Sequence, residues 1–261
     1  MKELEERLGF KVFHRKRNKW SLTEEGTELY KLAKEVLQTI EQGFNHIQQI
    51  RAGSKGRIKV TTECYSFYQE LPSFIQKMAV LYPEIEVDLM LEATHQPISK
   101  ILSNEVDIAL VTSRPASDLL SSIEIFEDEI FALMHQENEL HKVEYLEASD
   151  FANIHLIIHS FPLETVSVYE QFLKPNKIAP IKVSAIPLTE VSLEMVKANI
   201  GIMCLPKWAL NPFKVSGDLV FKRIGKEGLK RRHYLVVKKK DKNKKYINDF
   251  ISNFEEDFSS K

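Results

Sequence analysis

The sequence predicts an α/β fold in which two similar lobes stand behind a long helix and a short basic segment. Three observations predict it. Strand and helix patterns alternate as βαβαβ twice, once in residues 58–113 and again in 155–206, the order that gives a parallel sheet with right-handed crossovers. An apolar seam at spacings of three and four runs from Leu29 to Ile50, the pattern of a helix that pairs along one stripe. Lys11–Lys19 reads KVFHRKRNK, five basic residues in nine and none acidic, although the whole chain carries a net charge of only -1. No apolar run approaches the roughly 20 residues of a membrane helix. Met1 to Arg7 lacks the apolar core of a signal peptide. Two cysteines, Cys64 and Cys204, exclude a disulfide framework and a four-cysteine zinc site, and suit the reducing cytoplasm.

KELEERLG opens the chain and ends in Gly9, a helix stop. Thr23 is a good N-cap, with Glu24 and Glu25 where the helix dipole favours acids. Leu29, Ala33, Val36, Ile40, Gly43, Ile47 and Ile50 form the seam. No partner helix follows, so the seam is expected to pair with a second copy of itself. The helix gives out in a hinge at 53–57. IKVTTE is then a strand, 66–81 a helix, IEVDLML a strand, 97–103 a helix and VDIALVT a strand. A strand-rich stretch from Ile123 to His135 leads to the second half: HLIIHS, a helix over 164–173, IKVSAI, a helix over 188–198, and GIMCLP. The chain is expected to cross between lobes near 131–136 and 234–238. Asn104 and Asn199 stand between helix and strand, where a left-handed residue is wanted. A closing helix, Lys245 to Phe258, should pack on the first lobe.

The opening segment, KELEERLGFKVFHRKRNKWSLTEEG, resembles the LysR-type transcriptional regulators. Leu4, Glu5, Leu8, Gly9, Phe13, Arg15, Leu22, Thr23 and Gly26 carry the likeness, and Asn18 stands where many members have arginine. The resemblance implies that 1–22 is the end of a recognition helix and the wing of a winged helix-turn-helix. Family members carry a further stretch before this point, with the first helices and the front of the recognition helix. It also implies a linker and dimerisation helix at 23–52, and a periplasmic-binding-protein-like effector domain at 58–261. Its first lobe would comprise 58–134 and 239–261, its second 135–238. Thr62–Ser66, Val111–Ser113, Phe126–Ile130, Phe172–Pro175, Leu205–Trp208 and Gly225–Leu229 resemble the homocysteine-responsive subgroup that controls methionine biosynthesis. Implied partners are promoter DNA, homocysteine, a second copy or a tetramer, and RNA polymerase. No cofactor, metal or membrane is implied.

Arg15, Lys16, Arg17 and Lys19 are placed to grip DNA phosphates, adding affinity and salt dependence rather than base selection. Seam residues Leu29, Ala33, Val36, Ile40 and Ile47 would dimerise. Ligands of open parallel sheets gather beyond the carboxyl ends of the strands. Thr62, Glu63, Cys64, Ser66, Thr112 and Ser113 are so placed in the first half, His159, Ser160, Thr189 and Glu190 in the second. The hydroxyl of Ser66 or of Thr189 is equally well a helix cap. Cys64 is expected beside the effector without attacking it, and Cys204 in the core. Lys238–Lys245, with no interleaved aromatic residue, reads as a solvated edge. There is no GxSxG, GxGxxG, Walker loop or His/Cys metal spacing, so an enzyme is not expected. Two other readings stay open: a cytoplasmic solute-binding protein, and a ligand-binding dimer without specific DNA binding.

Overall fold

Glu5 ties the first helix to the strand beyond it. From α1 (Lys2–Leu8) its carboxylate accepts the backbone N–H groups of Val12 at 2.9 Å and Phe13 at 3.3 Å. Gly9 turns the chain between them at φ +77°, a conformation that costs glycine little. β1 (Phe13–Lys16) and β2 (Lys19–Leu22) pair antiparallel, with Phe13 opposite Leu22 and Lys16 opposite Lys19. The computed structural model describes residues 2–16, 19–51 and 55–259. Arg15, Lys16 and Lys19 therefore lie on hairpin backbone, and Arg17 lies outside the described residues.

Thr23 caps α2 (Glu24–Arg51), its Oγ1 accepting the Gly26 N–H at 2.8 Å while its own N–H donates to the Val12 carbonyl at 3.0 Å. The hairpin thus lies so close to the first turn that a Cβ on Gly26 would run into that carbonyl oxygen. This close approach is the physical content of the Leu-Thr-x-x-Gly spacing. Gly26→Ala should destabilise the junction by roughly 1–3 kcal/mol through overpacking, although alanine is the better helix former. A helical melting midpoint that stays put or rises would show that the hairpin yields freely. Along α2, Ala33, Val36, Ile40 and Ile47 are exposed and Leu29 is half-buried. Tyr30, Leu37 and Phe44, also exposed, repeat every seven residues beside them, so the apolar stripe is wider than one narrow seam.

The chain divides into two compact units, 1–55 and 56–261. The second begins with β3 (Gly56–Thr62), so the last two positions of the expected hinge are strand; Gly53 and Ser54 lie outside the described residues. α3 (Leu71–Leu81), β4 (Ile85–Leu89), α4 (Pro97–Leu102) and β5 (Ile108–Val111) complete the first βαβαβ set. The expected 66–81 helix is split. A 3₁₀ turn at Tyr65–Gln69 precedes α3, because Pro72 has no N–H to give and fits only a first turn. β6 (Leu120–His135) and β7 (Tyr145–Leu146) follow. The second set comprises β8 (His155–Ile158), β9 (Lys182–Ala185), α5 (Thr189–Lys197) and β10 (Ile202–Pro206). The helix expected at 164–173 does not form as one. Leu163–Thr165 is a 3₁₀ turn and Tyr169–Leu173 a π-turn; Thr165, Val166 and Val168 are β-branched and disfavour an α-helix between them. β11 (Leu219–Ile224), β12 (Leu229–Lys238) and α6 (Lys245–Phe258) close the chain.

The sheet runs β4-β3-β5-β12-β6-β10-β8-β9, parallel within each outer trio and antiparallel at the centre, with β11 paired to β6 and β7. β6 and β12 belong to both lobes. Their first-lobe halves, 120–126 and 233–238, pair with each other, and β12 there also pairs with β5. Their second-lobe halves, 126–130 and 229–233, pair on while β6 meets β10 and β11. The crossing thus falls near the middle of each strand, earlier in both than the sequence suggested, since one continuous strand serves each lobe in turn. A register shift at His233/Tyr234 marks it. The first lobe has an aromatic core in which Phe250, Phe254 and Phe258 of α6 meet Phe67 and Phe74. The second lobe has its own cores around Phe151 and Leu193. Asn104 and Asn199 adopt φ of 64° and 53°, as their places between helix and strand require. Among the described residues no helix is long and apolar enough to cross a membrane.

Candidate functional site

The carboxyl ends of β3, β8 and β10 open onto one cavity of about 100 Å³ between the lobes. Glu63, Cys64 and Ser66 line it from the first lobe, His159 and Ser160 from the second. Ile130, Leu156, Ile158 and Met203 supply an apolar wall. Cys204, expected in the core, also faces this cavity, and burial pushes its thiol pKa far up, which keeps it protonated.

Five of the expected residues do not line the cavity, and three of those hold the residues that do. Thr62 is fully buried, its hydroxyl accepting the Cys64 N–H at 3.1 Å. Thr112 donates its N–H and its hydroxyl to Glu63 Oε2, at 2.8 and 3.1 Å. The Thr189 hydroxyl lies 3.5 Å from His159 Nε2. Ser113 and Glu190 are exposed.

Burial raises the Glu63 pKa, and the Thr112 hydrogen bonds and the Arg231 charge only partly offset it. A carboxylate so placed gains by meeting a cation. Burial lowers the His159 pKa, so this imidazole is neutral near pH 7. Tyr65 spans the lobes: its hydroxyl is 3.0 Å from His95 Nε2, and its ring stands edge-on to His159 at 5.6 Å.

Sequence reasoning missed Arg231, which lines the cavity, and the buried residues that hold it. Arg231 on β12 sits directly opposite Asp128 on β6 and donates Nε to Oδ1 at 3.0 Å and Nη2 to Oδ2 at 2.7 Å. Both side chains are nearly enclosed, at 7% and 5% exposure. Asp128 also lies 3.0 Å from His233 Nε2 and accepts Trp208 Nε1–H at 3.2 Å. Burial alone would raise the Asp128 pKa. The His233 hydrogen bond and the Arg231 charge overcome it and hold the carboxyl well below its usual range. Desolvation likewise opposes the Arg231 charge, and its paired Asp128 carboxylate keeps it firmly protonated. The other edge of the guanidinium reaches both walls of the cavity, with Nη1 3.2 Å from Ser167 Oγ and Nη2 3.7 Å from Cys64 Sγ. A signal was present in the sequence. Asp128 is in phase with Phe126 and Ile130, and Arg231 with Leu229 and His233, so each charge falls on the apolar face of a strand.

The basic stretch near the C-terminus is occupied locally. Lys238 donates to the Leu102 carbonyl at 2.8 Å and to Asn104 Oδ1 at 2.6 Å, and Lys244 pairs with Asp241 at 2.8 Å.

Comparison with known proteins agrees with this architecture. The chain is similar to the HTH-type transcriptional regulator MetR of Haemophilus influenzae, 25% identical over 250 residues, covering 96% of this chain and 81% of that protein. MetR of Escherichia coli K12 is 27% identical over 249 residues, covering 95% and 77%. The solved regulatory domain of MetR from N. meningitidis, a LysR family regulator, superposes with a TM-score of 0.72 at 23% identity, over 77% of this chain and 93% of that one. Full-length CbnR, solved with its target DNA, superposes with a TM-score of 0.70 at 17% identity, over 100% and 88%. The curated relatives are transcriptional regulators rather than enzymes. With residues 51–259 matching the LysR substrate binding domain, the chain belongs to the LysR family of transcriptional regulators and is MetR-like.

Proposed function

We propose that this protein is a cytoplasmic regulator of sulfur amino-acid genes whose interlobe cavity binds homocysteine. The observation that carries the reading is the composition of the cavity. Glu63 presents a desolvated carboxylate, with both Thr112 bonds on Oε2 leaving Oε1 for a ligand ammonium. Beside it stand three sulfur-bearing residues, Cys64, Met203 and Cys204, whose soft, polarizable atoms suit a thiol side chain. The small volume favours an amino acid over a sugar or nucleotide.

In this reading 1–22 is the end of a winged helix-turn-helix, and Arg15, Lys16, Arg17 and Lys19 hold DNA phosphates. The α2 stripe, with Leu29, Ala33, Val36, Ile40 and Ile47, pairs two copies, and 58–261 is the effector domain. Thr62, Thr112 and Thr189 serve the site by fixing Cys64, Glu63 and His159, while Ser113 and Glu190 are exposed and take no part in it. Effector binding shifts the balance between arrangements of the lobes to the extent that one binds it better, and so alters promoter binding and RNA polymerase recruitment.

Calorimetry with L-homocysteine, L-cysteine and L-methionine tests the effector. Cysteine, one methylene shorter, should bind roughly 10-fold weaker or worse. Binding of none of the three would remove the effector reading. Promoter affinity that is insensitive to salt would remove the phosphate role of the wing.

A further inference from the structure

One side chain on the cavity lining is bonded to residues of both lobes. Arg231 lies on β12, in the ribbon common to both lobes, and one edge of its guanidinium is fixed by Asp128 across the ladder. Asp128 is in turn held by His233 and Trp208, so the guanidinium cannot swing away to follow a ligand. Its remaining edge meets Cys64 of the first lobe and Ser167 of the second. Both are weak partners for a full positive charge. A thiol sulfur is a poor acceptor and a serine hydroxyl is neutral, whereas a carboxylate forms hydrogen bonds about twice as strong with a guanidinium. An anionic group entering the cavity therefore displaces them.

We propose that Arg231 is the anion anchor of the cavity, and that a ligand carboxylate takes the guanidinium edge now shared by Cys64 and Ser167. Occupancy then exchanges the two contacts that tie the lobes through Arg231 for contacts to the ligand, which makes Arg231 the point where binding acts on the lobes. Glu63, also on the lining, repels a bare anion, so the fitting class is a small carboxylate that carries its own cation. This rests on the effector reading above and adds to it the residue that reads the ligand.

The test uses the full chain, with L-homocysteine and its carboxyl-free analogue 3-aminopropanethiol as probes. Arg231→Lys keeps a cation beside Asp128 but loses the fork. It should bind L-homocysteine about 30-fold weaker or worse while leaving the affinity for the analogue unchanged. Ser167→Ala leaves the Arg231–Asp128 pair intact and removes a competitor. It should bind L-homocysteine about two- to fivefold tighter, and it keeps the proposal testable if Arg231→Lys fails to fold. In a Trp20→Phe background Trp208 is the remaining tryptophan, and its bond to Asp128 makes it the local reporter. Saturating L-homocysteine should shift its emission in the parent but not in Arg231→Lys. An unchanged ratio of the two probe affinities in Arg231→Lys overturns the anchor while the effector reading stands. Weaker binding by Ser167→Ala overturns the exchange. No binding of L-homocysteine by the parent chain overturns the effector reading and this inference together.

Discussion

Asp128→Ala should lower the melting midpoint of the two-lobed domain by roughly 6–20 °C. The substitution leaves Arg231 buried without its counter-charge, and breaking a buried pair from one side costs about 3–5 kcal/mol, each kcal/mol being worth about 2–4 °C in a domain of this size. The pH dependence fixes the cause. Folding depresses the Asp128 pKa, so its contribution is fully present above the unfolded value of about 3.9 and is lost as pH falls through the folded value. The gap between parent and Asp128→Ala should therefore hold its width from neutral pH down to about 3.9 and narrow below it. A gap independent of pH would show that lost packing, not lost charge, destabilises the variant.

Phe254→Ala should cost a similar amount, about 3–5 kcal/mol, for an unrelated reason. Phe254 is 1% exposed, and its ring lies 4.5 Å from Phe258, 5.2 Å from Phe74 and 5.8 Å from both Phe67 and Phe250, centroid to centroid. Removing it opens a hole under α6 that four aromatic neighbours cannot all collapse to fill. Because the loss is apolar, the gap to the parent should keep its size from pH 7 down to about pH 2, through the acid range in which the Asp128 gap narrows. Thermal melts of the two variants across that range thus separate a charge effect from a packing effect at equal magnitude. A loss below 1 kcal/mol for Phe254→Ala would mean that α6 is dispensable to the first lobe.

These contrasts bear on what the sequence could reveal. Local signals were dependable where one element determines its own form. Asn104 and Asn199 announce left-handed turns, and Thr23 announces a cap that Gly26 completes. α6 shows its apolar face at Ile247, Phe250, Ile251 and Phe254 without help from a partner. The site was half legible. Strand ends pointed to Glu63, Cys64, Ser66, His159 and Ser160, because ligand position in such sheets follows from topology. Whether a hydroxyl beside a strand end faces the cavity or the scaffold depends on one residue of phase, and Thr62 and Thr112 fell on the scaffold side. The Arg231–Asp128 pair is separated by about a hundred positions, and only the ladder between β6 and β12 brings it together. Its charges looked like surface charges in a basic and an acidic neighbourhood until their phase with apolar neighbours was considered. The 164–173 segment failed for a different reason, since a helical apolar period there competes with three β-branched side chains.

The two connections between the lobes are not loops. β6 and β12 pass from one lobe to the other as paired strands, bonded from Leu120 and Lys238 to Ile130 and Leu229. A loop permits large excursions at little cost, but a ladder must flex as a whole. The lobes are joined by something like a leaf spring: stiff to stretching and shear, compliant in bending and twist, and weakest at the register shift beside His233. Signals through such a joint are small in angle, reversible and restored elastically once the load is gone. A regulator built this way has no latch to reset, and the duration of its output is set by the dwell time of what it binds.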